Sequence, residues 1–358
     1  MGSDQPEYGI GIVGCGNISN THAEAIKRTK RGKLVSAYSR TRQTIRAFAK
    51  EYDITAFTSY DDFLADTALD VVAICTPTGT HLDYARAAAK AGKHVIVEKP
   101  IEVSIQRGKS LINSCETNGV KLAVIYQSRF IDDVTRMRQL VKQQKLGKIV
   151  MASASVKWFR SQEYYSDSSW RGTYKLDGGG VVINQSIHTV DLLQWVMGRI
   201  DSIAAFKGTF THGDIEAEDN AVACLKFRNG AIGVFEASTS IDPPQDRQIE
   251  INGTKGTLLL KGDRLHTMLD DQTEVSDESD STESAGAASP LAGMTFQHHK
   301  KQYDAILEAF FHDKVPTVSG AESLRSLAIV EALYKAADEQ QIIHIDEILD
   351  SPYCNSSN

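Results

Sequence analysis

The sequence predicts an α/β chain of two domains: a doubly wound parallel sheet over residues 1–127, then an α+β domain over 128–358 built on an open, mainly antiparallel sheet. Three observations predict it. Residues 8–127 alternate short apolar runs with amphipathic stretches, the rhythm of parallel strands joined by crossover helices. Beyond Gln127 the rhythm gives way to longer alternating segments with turn signals between them, such as Arg228-Asn229-Gly230 and Asn252-Gly253. The length, 358 residues, exceeds what one ordinary core holds.

Taken in order, strands are expected at 8–13, 34–39, 56–58, 71–75, 95–97 and 122–126. Helices at 23–29, 41–52, 60–65, 82–91 and 105–118 carry spaced apolar residues and so can cover the sheet faces. A helix at 132–144, a strand-like run and a glycine cluster opening a helix near Asn184 follow. Alternation then marks strands at 202–209, 221–227, 231–238, 248–252 and 257–261. Residues 270–290, acidic and without an aromatic or basic side chain, read as a mobile surface loop, and helices return at 296–311 and 321–339.

Composition excludes several classes. With 41% hydrophobic and 24% charged residues the chain is globular in type. A net charge of -7 without a basic patch argues against a nucleic-acid partner. The absence of an apolar run of about 18 residues argues against a membrane span, and the polar start differs from a signal peptide, so a cytoplasmic location is expected. Five dispersed cysteines, with no C-x-x-C pair, suggest neither a disulfide framework nor a metal site.

The run Gly9-Ile10-Gly11-Ile12-Val13-Gly14-Cys15-Gly16-Asn17-Ile18-Ser19 is a strand entering a glycine turn that opens a helix. Gly14 permits the tight turn, Gly16 the approach of a pyrophosphate, and the N–H groups at Asn17 and Ile18 face the phosphates: the pattern of a Rossmann domain, with Ser19 in place of its third glycine. The second strand ends in Tyr38-Ser39-Arg40-Thr41-Arg42. No carboxylate is available there for a ribose 2′-hydroxyl. Ser39, Arg40 and Arg42 suit a 2′-phosphate, which favours NADP with NAD as the alternative; the plain reading of the two arginines is a solvated lead into a helix. Thr76, Pro77 and His81 lie in the turn after the fourth strand, at the edge where such sheets bind ligands. That turn also needs no ligand if Thr80 is an N-cap.

The fifth strand ends in Glu98-Lys99-Pro100, where the proline holds Lys99 extended and permits a cis bond. A strand-end lysine is usually solvated; in register with a dinucleotide turn, Lys99 becomes a candidate acid or base. Further on, Asn184, His188, Asp191 and Trp195 share one helical face. A polar stripe on an apolar helix faces a polar pocket, or each group has a buried partner.

Together the glycine turn, Glu98-Lys99-Pro100 and the Gly178-Gly179-Gly180…Asn184-x-x-x-His188-x-x-Asp191 run resemble the glucose-fructose oxidoreductase/inositol dehydrogenase family, Gfo/Idh/MocA, across roughly residues 8–257. The resemblance implies that Lys99 and His188 are the acid/base pair, with Asp191 orienting the imidazole. It implies contacts to cofactor from Glu98 and Lys99, and to substrate from Lys99, Gln127, Trp170, Arg171, Asn184 and His188. It also implies an exposed sheet face used in a homodimer or homotetramer. Inositol dehydrogenase-like members carry an aspartate where this chain has Asn184; sugar-nucleotide 3-dehydrogenases are similar in lacking it. The expected activity is therefore a metal-free NAD(P)-dependent oxidation of a ring hydroxyl of a sugar, sugar nucleotide or inositol, with pyranose C3 favoured. Two rivals share the fold: a glycosidase that recycles its NAD, and a dinucleotide-binding regulator without turnover.

Overall fold

The structure, a computed structural model, describes residues 8–269, 272–276 and 295–350. It divides into two compact units: Met1–Gln127 with Thr295–Leu324, and Ser128–Met294 with Arg325–Asn358. From its sequence, segment 295–324 is expected in the second domain; by its contacts it belongs to the first unit.

The first stretch of chain runs β1 (Tyr8–Val13), α1 (Asn17–Ile26), β2 (Gly32–Tyr38), α2 (Arg42–Tyr52), β3 (Thr55–Phe57), α3 (Tyr60–Leu64), β4 (Val71–Ile74), α4 (His81–Lys90), β5 (His94–Val97), α5 (Ile105–Thr117) and β6 (Leu122–Val124). The six strands are parallel in the order β3-β2-β1-β4-β5-β6, so the order reverses between β1 and β4, where such sheets open a ligand crevice. β4 is apolar throughout because helices cover both faces. In α2, Ile45, Phe48, Ala49 and Tyr52 repeat at helical spacing and are the buried face. α1 begins at Asn17, six residues before the expected start, since Gly16 leads directly into it and its first turn is mostly polar, which hides the period.

The second stretch contains α6 (Asp132–Lys142), β7 (Ile149–Lys157), α7 (Gln162–Ser166), α8 (Ile187–Met197), β8 (Ile200–Gly208), β9 (Asn220–Phe227), β10 (Ile232–Ser238), β11 (Gln248–Gly253), β12 (Gly256–Lys261), β13 (Arg264–Leu269) and β14 (Gln272–Val275). The chain ends with α9 (Phe296–Phe311), α10 (Gly320–Glu339), β15 (Ile343–His344) and α11 (Ile345–Leu349). Nine strands form one open sheet in the order β14-β13-β12-β11-β7-β10-β9-β8-β15, antiparallel except for β7 beside β10. Alternation is clean: in β9 every second residue is buried and the others face out. The expected loop at 270–290 is corrected at its start, where β14 pairs with β13; its other residues lie outside those described. Among the described residues, no helix is long and apolar enough to cross a membrane.

Within the first unit, α9 and the chain after it finish what the Rossmann strands begin. Gln302 accepts from the Tyr126 N–H (3.0 Å) and donates to the Val124 carbonyl (2.9 Å), and Val124 N–H donates to the Val318 carbonyl (3.0 Å). These bonds occupy the open edge at β6.

Candidate active site

In the first unit, the parallel strands deliver Gly14, Ser39, Thr76 and Glu98-Lys99 to one edge of the sheet, each just past a strand end. Gly14 has φ +92°, and its N–H donates to the Tyr38 carbonyl at 2.9 Å. A side chain there would be strained and would press on Thr76, 2.9 Å from its methyl group. Gly16 caps α1 without a side-chain bond, and a Cβ built on it meets no atom within 4 Å. Open space before uncapped N–H groups fits a dinucleotide pyrophosphate. Asn17 and Ile18 form that first turn. Ser39 accepts from the Thr41 N–H (3.3 Å), and Arg40 and Arg42 are exposed.

Thr76 accepts from the Thr80 hydroxyl (2.8 Å), and Pro77 opens the short turn Thr78–Thr80. His81, expected on the cofactor, is buried instead, with Nε2 at the Thr76 carbonyl (2.9 Å) and Nδ1 at the Pro100 carbonyl (3.1 Å). It ties one turn of the edge to the next.

The Lys99–Pro100 bond is cis. Lys99 is half-buried, and its N–H donates to Glu98 Oε2 at 3.0 Å. Glu98 Oε1 lies 2.7 Å from His22 Nε2, and His22 Nδ1 lies 2.7 Å from the Tyr303 hydroxyl. Burial disfavours both charges, yet the 2.7 Å bond from His22, with His299 nearby at 3.9 Å, holds Glu98 well below the usual carboxylate range. Burial likewise opposes a charge on His22, but Cys75, Tyr303 and Glu98 around it outweigh burial and raise it well above an ordinary histidine. Burial pushes Tyr303 up to about 12. Glu98 is therefore a buried prop for the Lys99 main chain. His22, Glu98 and His299 come close enough together to consider a metal. Ligands around a tetrahedral ion stand roughly 3.3 Å apart given bonds near 2.0–2.1 Å. The 2.7 Å separation of His22 and Glu98 is that of an ion pair.

In the second unit, Asn184 sits in the turn before α8 and not on the helix as expected. Its amide donates to both oxygens of buried Asp177 (2.6 and 2.8 Å), and Asp177 also accepts from the Gly172 N–H (2.9 Å). The glycine cluster is steric in origin: a Cβ on Gly180 would overlap the Glu218 carbonyl, and one on Gly179 the Tyr334 hydroxyl. Glu218, whose pKa burial raises, accepts from the N–H groups of Gly180 (3.1 Å) and Val182 (3.0 Å) and from Tyr334 (2.9 Å). His188 is half-buried in the first turn of α8.

Asp191 takes the other option open to a polar group on an apolar helix. It is fully buried, and Arg129 donates to both its oxygens at 2.6 Å, with Ser326 donating to Oδ1 at 2.6 Å. The expected role, orienting His188, gives way to pairing a buried guanidinium. Arg138 and Arg129 pack over the Trp195 ring, 4.0 and 5.3 Å from its centroid. Arg171 packs over Tyr164 (4.2 Å) and Trp170 (5.5 Å) and donates to the Tyr164 carbonyl (2.7 Å). Gln127 opens the 3₁₀ turn Gln127–Phe130 at the end of the first unit's leading segment, and its Oε1 is buried with no hydrogen-bond partner among the described residues. Sequence reasoning missed His22, Arg129, Asp177 and Glu218, which lie in no recognisable spacing and act through partners up to 281 residues away.

A Rossmann unit with an open phosphate turn and a strand-end lysine, joined in one chain to an open mixed sheet, defines a nicotinamide-dependent oxidoreductase. Comparison with known proteins gives the family. The pattern of the oxidoreductase family with NAD-binding Rossmann fold matches residues 8–126, and that of the GFO/IDH/MocA C-terminal domain matches residues 134–259. The chain belongs to the Gfo/Idh/MocA family. It is similar to the myo-inositol 2-dehydrogenase of Thermotoga maritima (23% identical, covering 95% of this chain and 99% of the relative). It is also similar to the inositol 2-dehydrogenase of Rhizobium meliloti (24% identical, 94% and 98% covered). Among solved structures, the WlbA dehydrogenase of Bordetella pertussis in complex with NADH and UDP-GlcNAcA superposes with a TM-score of 0.82 at 31% identity, covering 94% of this chain and 98% of that one.

Proposed function

We propose that this protein is a dehydrogenase acting on a ring carbon that bears a secondary hydroxyl in a sugar, sugar nucleotide or inositol, with pyranose C3 favoured and NADP preferred to NAD. The observation that carries the reading is the family match across both units with Lys99 and His188 present at the motif positions. When bound, the nicotinamide supplies a two-electron acceptor at C4. The chain's own residues handle the proton. His188 takes it from the substrate hydroxyl while the Lys99 ammonium holds the charge developing on that oxygen, worth about 10²–10⁴-fold for a positioned acid/base group. Glu98 keeps the Lys99 main chain in place, and Gln127 Oε1 offers an acceptor to the bound ligands. The NADP preference rests on Ser39, Arg40 and Arg42, with no carboxylate at the end of β2. The exposed apolar face of the large sheet, carrying Met151, Phe206, Val222, Ile232 and Val234, supports a homo-oligomer.

Calorimetric titration of stripped protein with NADPH and NADH, followed by absorbance at the nicotinamide band with sugars, inositols and sugar nucleotides, tests this. Tighter NADPH binding, reversed in an Arg40→Ala/Arg42→Ala variant, and turnover lost in Lys99→Ala and His188→Ala, are the expected results. If neither dinucleotide binds, the proposal fails; full turnover in both alanine variants removes the mechanism.

A further inference from the structure

In the second unit one buried carboxylate holds the turn that delivers Asn184 and His188. Glu218 stands just before β9 and is only 2% exposed. Its carbonyl accepts from the Val181 N–H (3.0 Å), its Oε2 from the Gly180 N–H (3.1 Å) and its Oε1 from the Val182 N–H (3.0 Å). Three successive N–H groups thus end on one residue, the way a main chain grips an anion. The turn is built onward from the same peptides. The Gly180 carbonyl accepts from the Asn184 N–H (3.1 Å) and the Val181 carbonyl from the Ser186 N–H (2.9 Å). Ser186 is the N-cap of α8, its carbonyl accepts from Thr189 and Val190 (2.9 and 3.0 Å), and His188 lies in that first turn.

Glu218 is itself fixed on both sides. The Ala217 N–H donates to the Gly172 carbonyl (3.1 Å) and the Asp219 N–H to the Gly208 carbonyl (3.2 Å), while the Asp219 carboxylate takes the N–H groups of Phe210 and Thr211 (both 2.8 Å). From α10, Tyr334 donates to Glu218 Oε1 (2.9 Å); Lys207 of β8 lies 5.6 Å from the Tyr334 ring centroid and pairs with Asp338 (2.7 Å). Burial raises the Glu218 pKa against the pull of the N–H and O–H bonds. An apolar side chain of similar volume would fill this space without the cost of a buried charge. What the carboxylate adds is geometry: it offers an acceptor to every donor aimed at it, which no apolar group and no amide of the same shape does.

We propose that Glu218 is a positioning residue of the oxidation: its carboxylate sets the 180–186 turn, and through that turn places Asn184 and His188 at the substrate hydroxyl. This rests on the dehydrogenase reading and adds to it a residue that acts from behind the reacting groups. Small displacements of such groups are costly in rate, so a support of this kind is felt in turnover before it is felt in binding.

The test compares the full chain with Glu218→Gln, Glu218→Asp and Tyr334→Phe at a temperature where each is folded by circular dichroism. Calorimetry gives the affinities for NADH and NADPH, and initial rates with myo-inositol, D-glucose, UDP-glucose and UDP-glucuronate give kcat and KM. Hydrogen exchange over residues 178–190 reads the turn without a substrate. Whichever way the amide of Glu218→Gln is turned, one N–H of the turn meets a donor, and kcat falls about tenfold to a hundredfold, the scale of an ångström-sized misplacement. KM and dinucleotide affinity stay at their wild-type values, and residues 178–190 exchange faster. Glu218→Asp, its charge drawn back from the turn, gives the same loss of kcat. Tyr334→Phe removes a bond to the same carboxylate but none from the turn, so it lowers Tm and leaves kcat and exchange unchanged. A kcat retained in Glu218→Gln, an equal loss in Tyr334→Phe, or unchanged exchange in Glu218→Gln overturns the positioning role. Where no probe is turned over, the exchange comparison alone decides whether Glu218 holds the turn; a wild type that binds neither dinucleotide overturns the dehydrogenase reading instead.

Discussion

A single carboxylate at position 191 shows how a motif residue serves the fold. Asp191 and Arg129 are each about 1% exposed, and they share two bonds of 2.6 Å. Removing one partner of such a pair leaves the other charge buried alone, a cost of about 3–5 kcal/mol. Asp191→Asn is therefore expected to lower the urea midpoint strongly, and an unchanged midpoint would contradict the pairing. Glu98 and His22 give a pH signature instead. The folded Glu98 pKa is depressed, so its contribution is complete above the ordinary value of 4.5 and fades as pH falls through the folded value. His22 is raised, so its contribution is complete below 6.5 and fades as pH rises through the folded value. The stability gap between wild type and Glu98→Gln should be widest between pH 4.5 and 6.5 and narrow on both sides in urea titrations. A gap independent of pH would show that the pair is not ionised.

At the scale of elements, the two glycines of the first turn should separate stability from binding. Gly14→Ala forces a left-handed backbone on alanine, costing about 1–2 kcal/mol, and meets Thr76; its Tm should fall. Gly16 has φ -85° and open space beside it, so Gly16→Ala should keep its Tm and lose dinucleotide affinity, because the methyl group occupies the room left for phosphate. Equal Tm losses in both would remove the argument for that room. The same turn marks what a sequence can disclose. β1, α9 and the order of the Rossmann elements follow from hydrophobic period and glycine spacing, which are local. Lys99 is legible because Pro100 and the strand fix it locally. The partners of Asp191 and Glu98 stand 62–135 residues away in the chain, so no short window contains them, whereas Asp177 is seven residues from Asn184 and β14 pairs with the strand just before it, local contacts that leave no periodic signal.

At the scale of the whole molecule, the large sheet leaves Phe206 70% and Ile232 56% exposed beside Val222 and Val234. Water is a poor neighbour for so continuous an apolar face. Light scattering behind a sizing column should give a mass at least twice that of one chain, and Val234→Lys should reduce it. A monomeric wild type would refute the proposed assembly.

The return of Thr295–Leu324 to the first unit carries a consequence for synthesis. A ribosome that has finished residue 127 has made all six parallel strands, yet not the Gln302 that closes the β6 edge or the Tyr303 that meets His22. The first unit in the chain is thus completed only after the nine-stranded sheet's first eight strands have been made, and a nascent chain must carry an open edge through that interval.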